Sequence, residues 1–136
     1  MNVDEYYALP IFESTKSTHV LRCRNEYEKA LMQSYDANPK ILDYFQPLME
    51  IVVNDANGIE VLVLINFWLA YENDRTVLVH LADSGAQFDD LRFEQAARFC
   101  CKNSMELVVV LKDDTTKLTD SFLSRLGRRV CGREEK

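Results

Sequence analysis

The sequence predicts an α/β domain with a mixed central sheet flanked by helices, and three stretches carry that prediction. Two apolar runs, Leu62–Tyr71 and Thr76–Leu81, flank the turn-forming pair Asn73-Asp74 and read as a β-hairpin in a buried sheet. Residues 88–103, FDDLRFEQAARFCCKN, place Leu91, Phe93, Ala96, Ala97, Phe99 and Cys100 on one broad helical face. Residues 106–111, ELVVVL, form a short continuous apolar run of the kind that makes a buried strand. A strand, a helix of about four turns and a second buried strand make a crossover unit, which is right-handed and normally pairs its strands in parallel, whereas a hairpin pairs antiparallel.

The elements follow in order. NEYEKALMQSY, from Asn25, begins the first clear helix: Asn25 is a plausible N-cap and Glu28 stands three residues later, the capping-box spacing. Pro39 stops it by pushing Asn38 out of helical conformation. ILDYFQPLMEIVV is extended chain broken at Pro47, and NDANG, residues 54–58, is a hairpin turn leading into the Leu62–Tyr71 strand, so that three strands form a meander. After the crossover, Leu118–Leu126 reads as a short helix stopped by Gly127, with a charged tail beyond. The order is helix, three strands, helix, strand and a C-terminal helix. It matches the core of the restriction-endonuclease-like fold.

Composition narrows the function classes. A chain of 136 residues, 47% of them apolar, has the size of one domain with a single core, here 1–136 with its core at about 20–112. Sixteen Lys and Arg against 22 Asp and Glu give a net charge of -6, which argues against coating nucleic acid by bulk electrostatics. MNVDEYYALP has no basic segment followed by an apolar one, and no apolar run approaches the roughly 20 residues of a membrane span. A soluble, cytoplasmic protein with no membrane partner is expected. Cys23, Cys100, Cys101 and Cys131 show neither a CxxC pair nor finger-spaced histidines, so reduced packing thiols are expected rather than a zinc site.

The residues from Cys23 to Pro47, CRNEYEKALMQSYDANPKILDYFQP, resemble the start of the TnsA-type endonuclease domain, the strand-cleaving subunit of heteromeric transposons. In that family a serine and a glutamate three residues apart open a helix, and a Gln-Pro pair follows on the next strand. Asn25 stands at the serine position, Glu28 at the glutamate, and Gln46-Pro47 at the Gln-Pro pair; the likeness runs from about residue 20 to residue 112. The family's PD-(D/E)xK signature falls on Ile65-Asn66-Phe67 and His80-Leu81-Ala82. The resemblance therefore implies a nuclease scaffold whose site, Glu28, Asn66, His80 and Ala82, is degenerate. Magnesium takes charged oxygen ligands in near-octahedral geometry, and asparagine supplies a neutral carbonyl at best. Ala82 cannot supply the donor and charge of the lysine. No metal and no cofactor are expected, with magnesium kept for an alternative in which Glu28, Asp83 and His80 form a rearranged site.

Pairing register bears on that reading. A two-residue turn sets Asn66 opposite Leu81, and a three-residue loop sets it opposite Ala82, beside His80; the degenerate-site alignment requires the second. Plainer roles are open as well. Glu28 can be a capping acid, His80 a half-buried histidine bonded to backbone, and Phe67, Trp68 and Tyr71 core rather than a base-stacking platform. Arg125, Arg128, Arg129 and Arg133 stand out against an acidic background as candidates for phosphate contact. The expectation is a non-cutting adaptor with a transposase-type or other DNA-processing partner and, at most, weak non-specific DNA binding. An active metal-dependent endonuclease and an acidic inhibitor of a nucleic-acid enzyme are the alternatives.

Overall fold

In the computed structural model, which describes residues 2–87, 90–116 and 128–129, the chain runs through α1 (Val3–Tyr7), β1 (Ile11–Phe12), β2 (Leu21–Arg22), α2 (Glu26–Ala37), β3 (Ile41–Phe45), β4 (Met49–Asn54), β5 (Glu60–Ile65), β6 (Phe67–Tyr71), β7 (Thr76–Ala82), α3 (Leu91–Lys102), β8 (Glu106–Leu111) and β9 (Arg128–Arg129). Helix α1 precedes the first expected helix. Asn2 and Glu5 close a full capping box around it, a signal too short to register as periodicity. Asn25 caps α2 by accepting from the Glu28 amide at 2.9 Å. The reciprocal half of the expected capping box is missing, because the Glu28 carboxylate is engaged elsewhere.

The central sheet is mixed and has the order β3-β6-β7-β8-β9. Strands β7 and β8 pair in parallel across α3, from Val77 opposite Glu106 to Ala82 opposite Leu111, as the crossover predicts. The other neighbours are antiparallel. Arg128 and Arg129, expected in a tail, lie instead in edge strand β9 against Val109 and Val108. The expected helix at 118–126 lies outside the described residues.

The expected long strand Leu62–Tyr71 is broken at Asn66. On its far side β5 pairs with β4 in a separate two-stranded ribbon, Met49 facing Ile65 and Asn54 facing Glu60. On its near side β6 pairs with β3, Phe45 facing Trp68. Between these two registers stand Gln46, Pro47 and Leu48 on one strand and Asn66 alone on the other. Pro47 cannot donate to a ladder, and Leu48 sits in the left-handed region at φ 54, a strain of roughly 1–2 kcal/mol for a residue with a Cβ. The meander is therefore a hairpin kinked across its width, and only its β6 arm joins β7.

The β6–β7 loop is Glu72–Asp74, with Asn73 and Asp74 both at positive φ, and Tyr71 donates to the Arg75 carbonyl across it at 2.8 Å. Phe67 consequently faces Val79. Continued by one residue, this register brings Asn66 level with His80, so neither expected register holds. The turn is centred on Asn73, half a position earlier than the midpoint of the Asn73-Asp74 pair.

Two apolar layers cover the sheet. Leu31, Met32 and Tyr35 of α2 pack with Phe67, Leu69, Val77, Val79 and Leu81 on one face. Phe93, Ala96, Ala97 and Cys100 of α3 pack with Leu78, Ala82, Leu107, Val109 and the inward side of the β4–β5 ribbon on the other. Each fully buried aliphatic or phenyl side chain stabilises this arrangement by about 1.5–3 kcal/mol. Leu91 and Phe99, placed on the apolar face by period alone, are 43% and 42% exposed, because the buried stripe of α3 is narrower than the apolar one. Phe67 is fully buried and Trp68 stacks on Phe45, as core residues do. Cys23 and Cys100 are free thiols; Cys101, against the expectation of four reduced cysteines, is disulfide-bonded.

Candidate functional site

The kink delivers two polar side chains to one place. Gln46 and Asn66 lie where both ladders are interrupted, so neither is bound to strand alternation, and both turn toward the N-terminal end of α2. There Glu28 is fully buried. An isolated buried carboxylate is strongly disfavoured, so its partners decide whether this arrangement can exist.

Arg24 supplies the charge. Its guanidinium grips Glu28 in fork geometry, Nε donating to Oε1 at 2.9 Å and Nη2 lying 2.7 Å from Oε2, with the Arg24 side chain 9% exposed. The cap explains its placement: Arg24 is just outside the helix and one turn before Glu28, the spacing at which such pairs meet. Asn66 Nδ2 donates to Glu28 Oε2 at 2.7 Å, while Asn66 Oδ1 accepts from the Leu81 amide at 2.8 Å. Those two partners fix the orientation of the carboxamide, since a carboxylate only accepts and an amide only donates. Gln46 Nε2 donates to the Arg22 carbonyl at 2.7 Å and lies 3.5 Å from Glu28 Oε1. Gln46 Oε1 accepts from the Arg22 amide at 2.8 Å and the Tyr6 hydroxyl at 2.7 Å. One connected network thus ties α1, β2, α2, the kink and β7 together.

Glu28, Asn66, Asn25 and Gln46 accordingly meet; Pro47 only follows Gln46 at the kink, and His80 and Ala82 do not join them. Ala82 is buried in the α3-side layer. His80 rests against Phe93, and its Nδ1 donates to the Leu64 carbonyl at 2.7 Å, the ordinary role that a half-buried histidine can take. Burial lowers its pKa, partly opposed by that bond. Asp83 does not reach the cluster either. It is exposed and paired with Lys112 at 2.9 Å, a bond that holds its carboxyl below the usual range, so the rearranged set of Glu28, Asp83 and His80 is not assembled.

Magnesium does not fit the donors present. Both Glu28 oxygens face the Arg24 guanidinium, Asn66 turns its NH2 rather than its carbonyl to the cluster, and Gln46 does the same. Among the described residues no group of three or more His, Cys, Asp or Glu is placed to hold a metal ion. Arg24 is the residue that sequence reasoning missed. Its signal was an Arg-x-x-x-Glu spacing straddling a helix start, easily taken for a surface pair.

Of the phosphate-contact candidates, Arg125 and Arg133 lie outside the described residues, and the backbone of Arg128 and Arg129 forms β9. Among the described residues no helix is long and apolar enough to cross a membrane. Compared with protein-family models, curated proteins and solved structures, the chain gives no match.

Proposed function

We propose that this chain is a TnsA-like domain with a restriction-endonuclease-like core that has given up strand cleavage and acts as an adaptor, contacting a transposase-type or other DNA-processing protein. The observation that carries the reading is the closed Glu28 cluster. The resemblance places Glu28, Gln46 and Asn66 at motif positions far apart in sequence, and they meet at one kink. The cation beside the carboxylate is a guanidinium of the chain itself. A fixed Arg24 neutralises Glu28 but brings no water to a phosphate, and Asn66 adds a donor where a metal needs charged acceptors.

What remains is shape. A rigid sheet covered on both faces suits a protein whose surface selects partners. DNA contact, if made through the arginine-rich end, is weak, independent of sequence and sharply weakened by salt in this reading.

Purified full-length protein incubated with supercoiled or nicked DNA in magnesium or manganese should leave the DNA intact. Metal-dependent cutting that disappears in Glu28→Gln would overturn the proposal in favour of an active site.

A further inference from the structure

The β4–β5 ribbon breaks the rule for a half-buried antiparallel pair, which sets apolar residues inward and polar residues outward. Its inward side obeys: Ile51, Val53, Val63 and Ile65 are buried beneath α3. Its outward side places Val52 directly opposite Leu62, and these are 59% and 56% exposed. Leu64 follows opposite Glu50, and Leu48, 50% exposed, extends the apolar strip toward the kink. Leu62 was expected to be buried with the rest of its run; strand alternation instead turns it to the side of the ribbon opposite the one packed beneath α3.

At the base of this strip lies a cavity of about 330 Å³ between α1 and the ribbon, lined by Val3, Tyr6, Leu48 and Leu64 with Glu50 and Arg24. Arg24 adds little net charge there because Glu28 neutralises it. The rim is acidic. Residues 48–65 contain Glu50, Asp55 and Glu60 and no Lys, Arg or His, and residues 2–10 contain Asp4 and Glu5 and no basic residue. Asp55 has Arg92 within electrostatic range, but Glu50 and Glu60 flank Val52 and Leu62 without an ion pair among the described residues.

We propose that the outward face of the β4–β5 ribbon, together with this cavity, docks a cationic amphipathic segment of a partner protein. An exposed apolar strip with a cavity at one end takes apolar side chains, the largest in the cavity, and carboxylates on both flanks select Lys or Arg beside them. Nucleic acid meets the wrong sign of charge. A second copy of this chain fits poorly, because a two-fold arrangement on the strip sets Glu50 and Glu60 against their own counterparts. The proposal rests on the adaptor reading for the existence of a partner; its cavity shares Arg24 and Tyr6 with the Glu28 network, whereas the exposed ribbon face around Val52 and Leu62 carries no member of that network.

The test is an amide-shift titration of the full chain with a short Leu/Lys amphipathic peptide and its Leu/Glu counterpart. The Leu/Lys peptide should shift residues 48–54 and 60–65, and the Leu/Glu peptide should not bind. Leu62→Gln, with its fold verified by the undisturbed shifts of α2 and β7, should weaken binding by about tenfold or more. Glu50→Gln with Glu60→Gln should reduce it a few-fold and flatten its salt dependence. Shifts centred elsewhere, binding unchanged in Leu62→Gln, or absence of binding would overturn the proposal. So would concentration-dependent shifts of the same residues without peptide, which would assign the strip to self-association. The DNA-cleavage result stands apart from all of these, so failure of the docking surface and failure of the adaptor reading are told apart.

Discussion

Asn66 donates its side-chain N–H to the fully buried Glu28 carboxylate at 2.7 Å, joining a strand break and a helix start that lie 38 positions apart. With an aspartate at 66 the same geometry would set two carboxylates against each other. Asn66→Asp, the first half of any attempt to rebuild a nuclease site, should lower stability by at least the charge-assisted bond it removes, about 1.5–3 kcal/mol. Urea unfolding at pH 7 measures it. Unchanged stability would show that the cluster tolerates a second negative charge.

The second half of that rebuild should fail for a different reason. Ala82 is 3% exposed in the α3-side layer, away from Glu28, so Ala82→Lys inserts an unpaired ammonium among apolar side chains. A loss of about 3–5 kcal/mol is expected, read from the same unfolding curves, and the double variant Asn66→Asp with Ala82→Lys should not cut DNA.

How much of this was legible beforehand depends on which force sets each feature. The α2 cap, the Pro39 stop, the 54–58 turn and the parallel β7–α3–β8 unit follow from local chemistry and period, and they appear as expected. The break at Asn66 does not. Leu62–Tyr71 reads as one strand because the kink is imposed from the partner strand by Pro47 and Leu48, a long-range cause with no local trace. Glu28 looked like a capping acid for the same reason, since the amide that competes for its carboxylate comes from Asn66. Without the break, nothing in the sequence brings Arg24, Gln46 and Asn66 to one carboxylate.

Removing Arg24 should expose how strongly the cluster depends on it. Arg24→Ala leaves Glu28 buried without its counter-charge, which typically costs about 3–5 kcal/mol. In the double variant Arg24→Ala, Glu28→Gln the stranded charge is gone, so most of that loss should be recovered. A double-mutant cycle by urea unfolding gives the coupling. Additive losses would mean that the 2.7 Å contact contributes little.

His80 predicts the pH response near neutrality. Burial lowers its pKa in the folded protein, so the unfolded chain binds the proton more readily. The stability associated with neutral His80 is therefore complete above the ordinary histidine value, about 6.5, and is lost as pH falls below it toward the lowered folded value. Urea midpoints at pH 7.5, 6.5 and 5.5 should decline in the parent and decline less in His80→Gln. Equal slopes would remove His80 as the cause.

In the proposed reading, Arg24 takes the place beside Glu28 that a divalent cation holds in a nuclease site. Paramagnetic broadening of amide signals by manganese tests it most directly, because the ion broadens only what lies near its binding place. At stoichiometric Mn²⁺ the amides of Glu28, Asn66 and Leu81 should keep their intensity in the parent protein. Selective broadening centred on those three amides, abolished in Glu28→Gln, would show instead that the Glu28 cluster holds a metal ion.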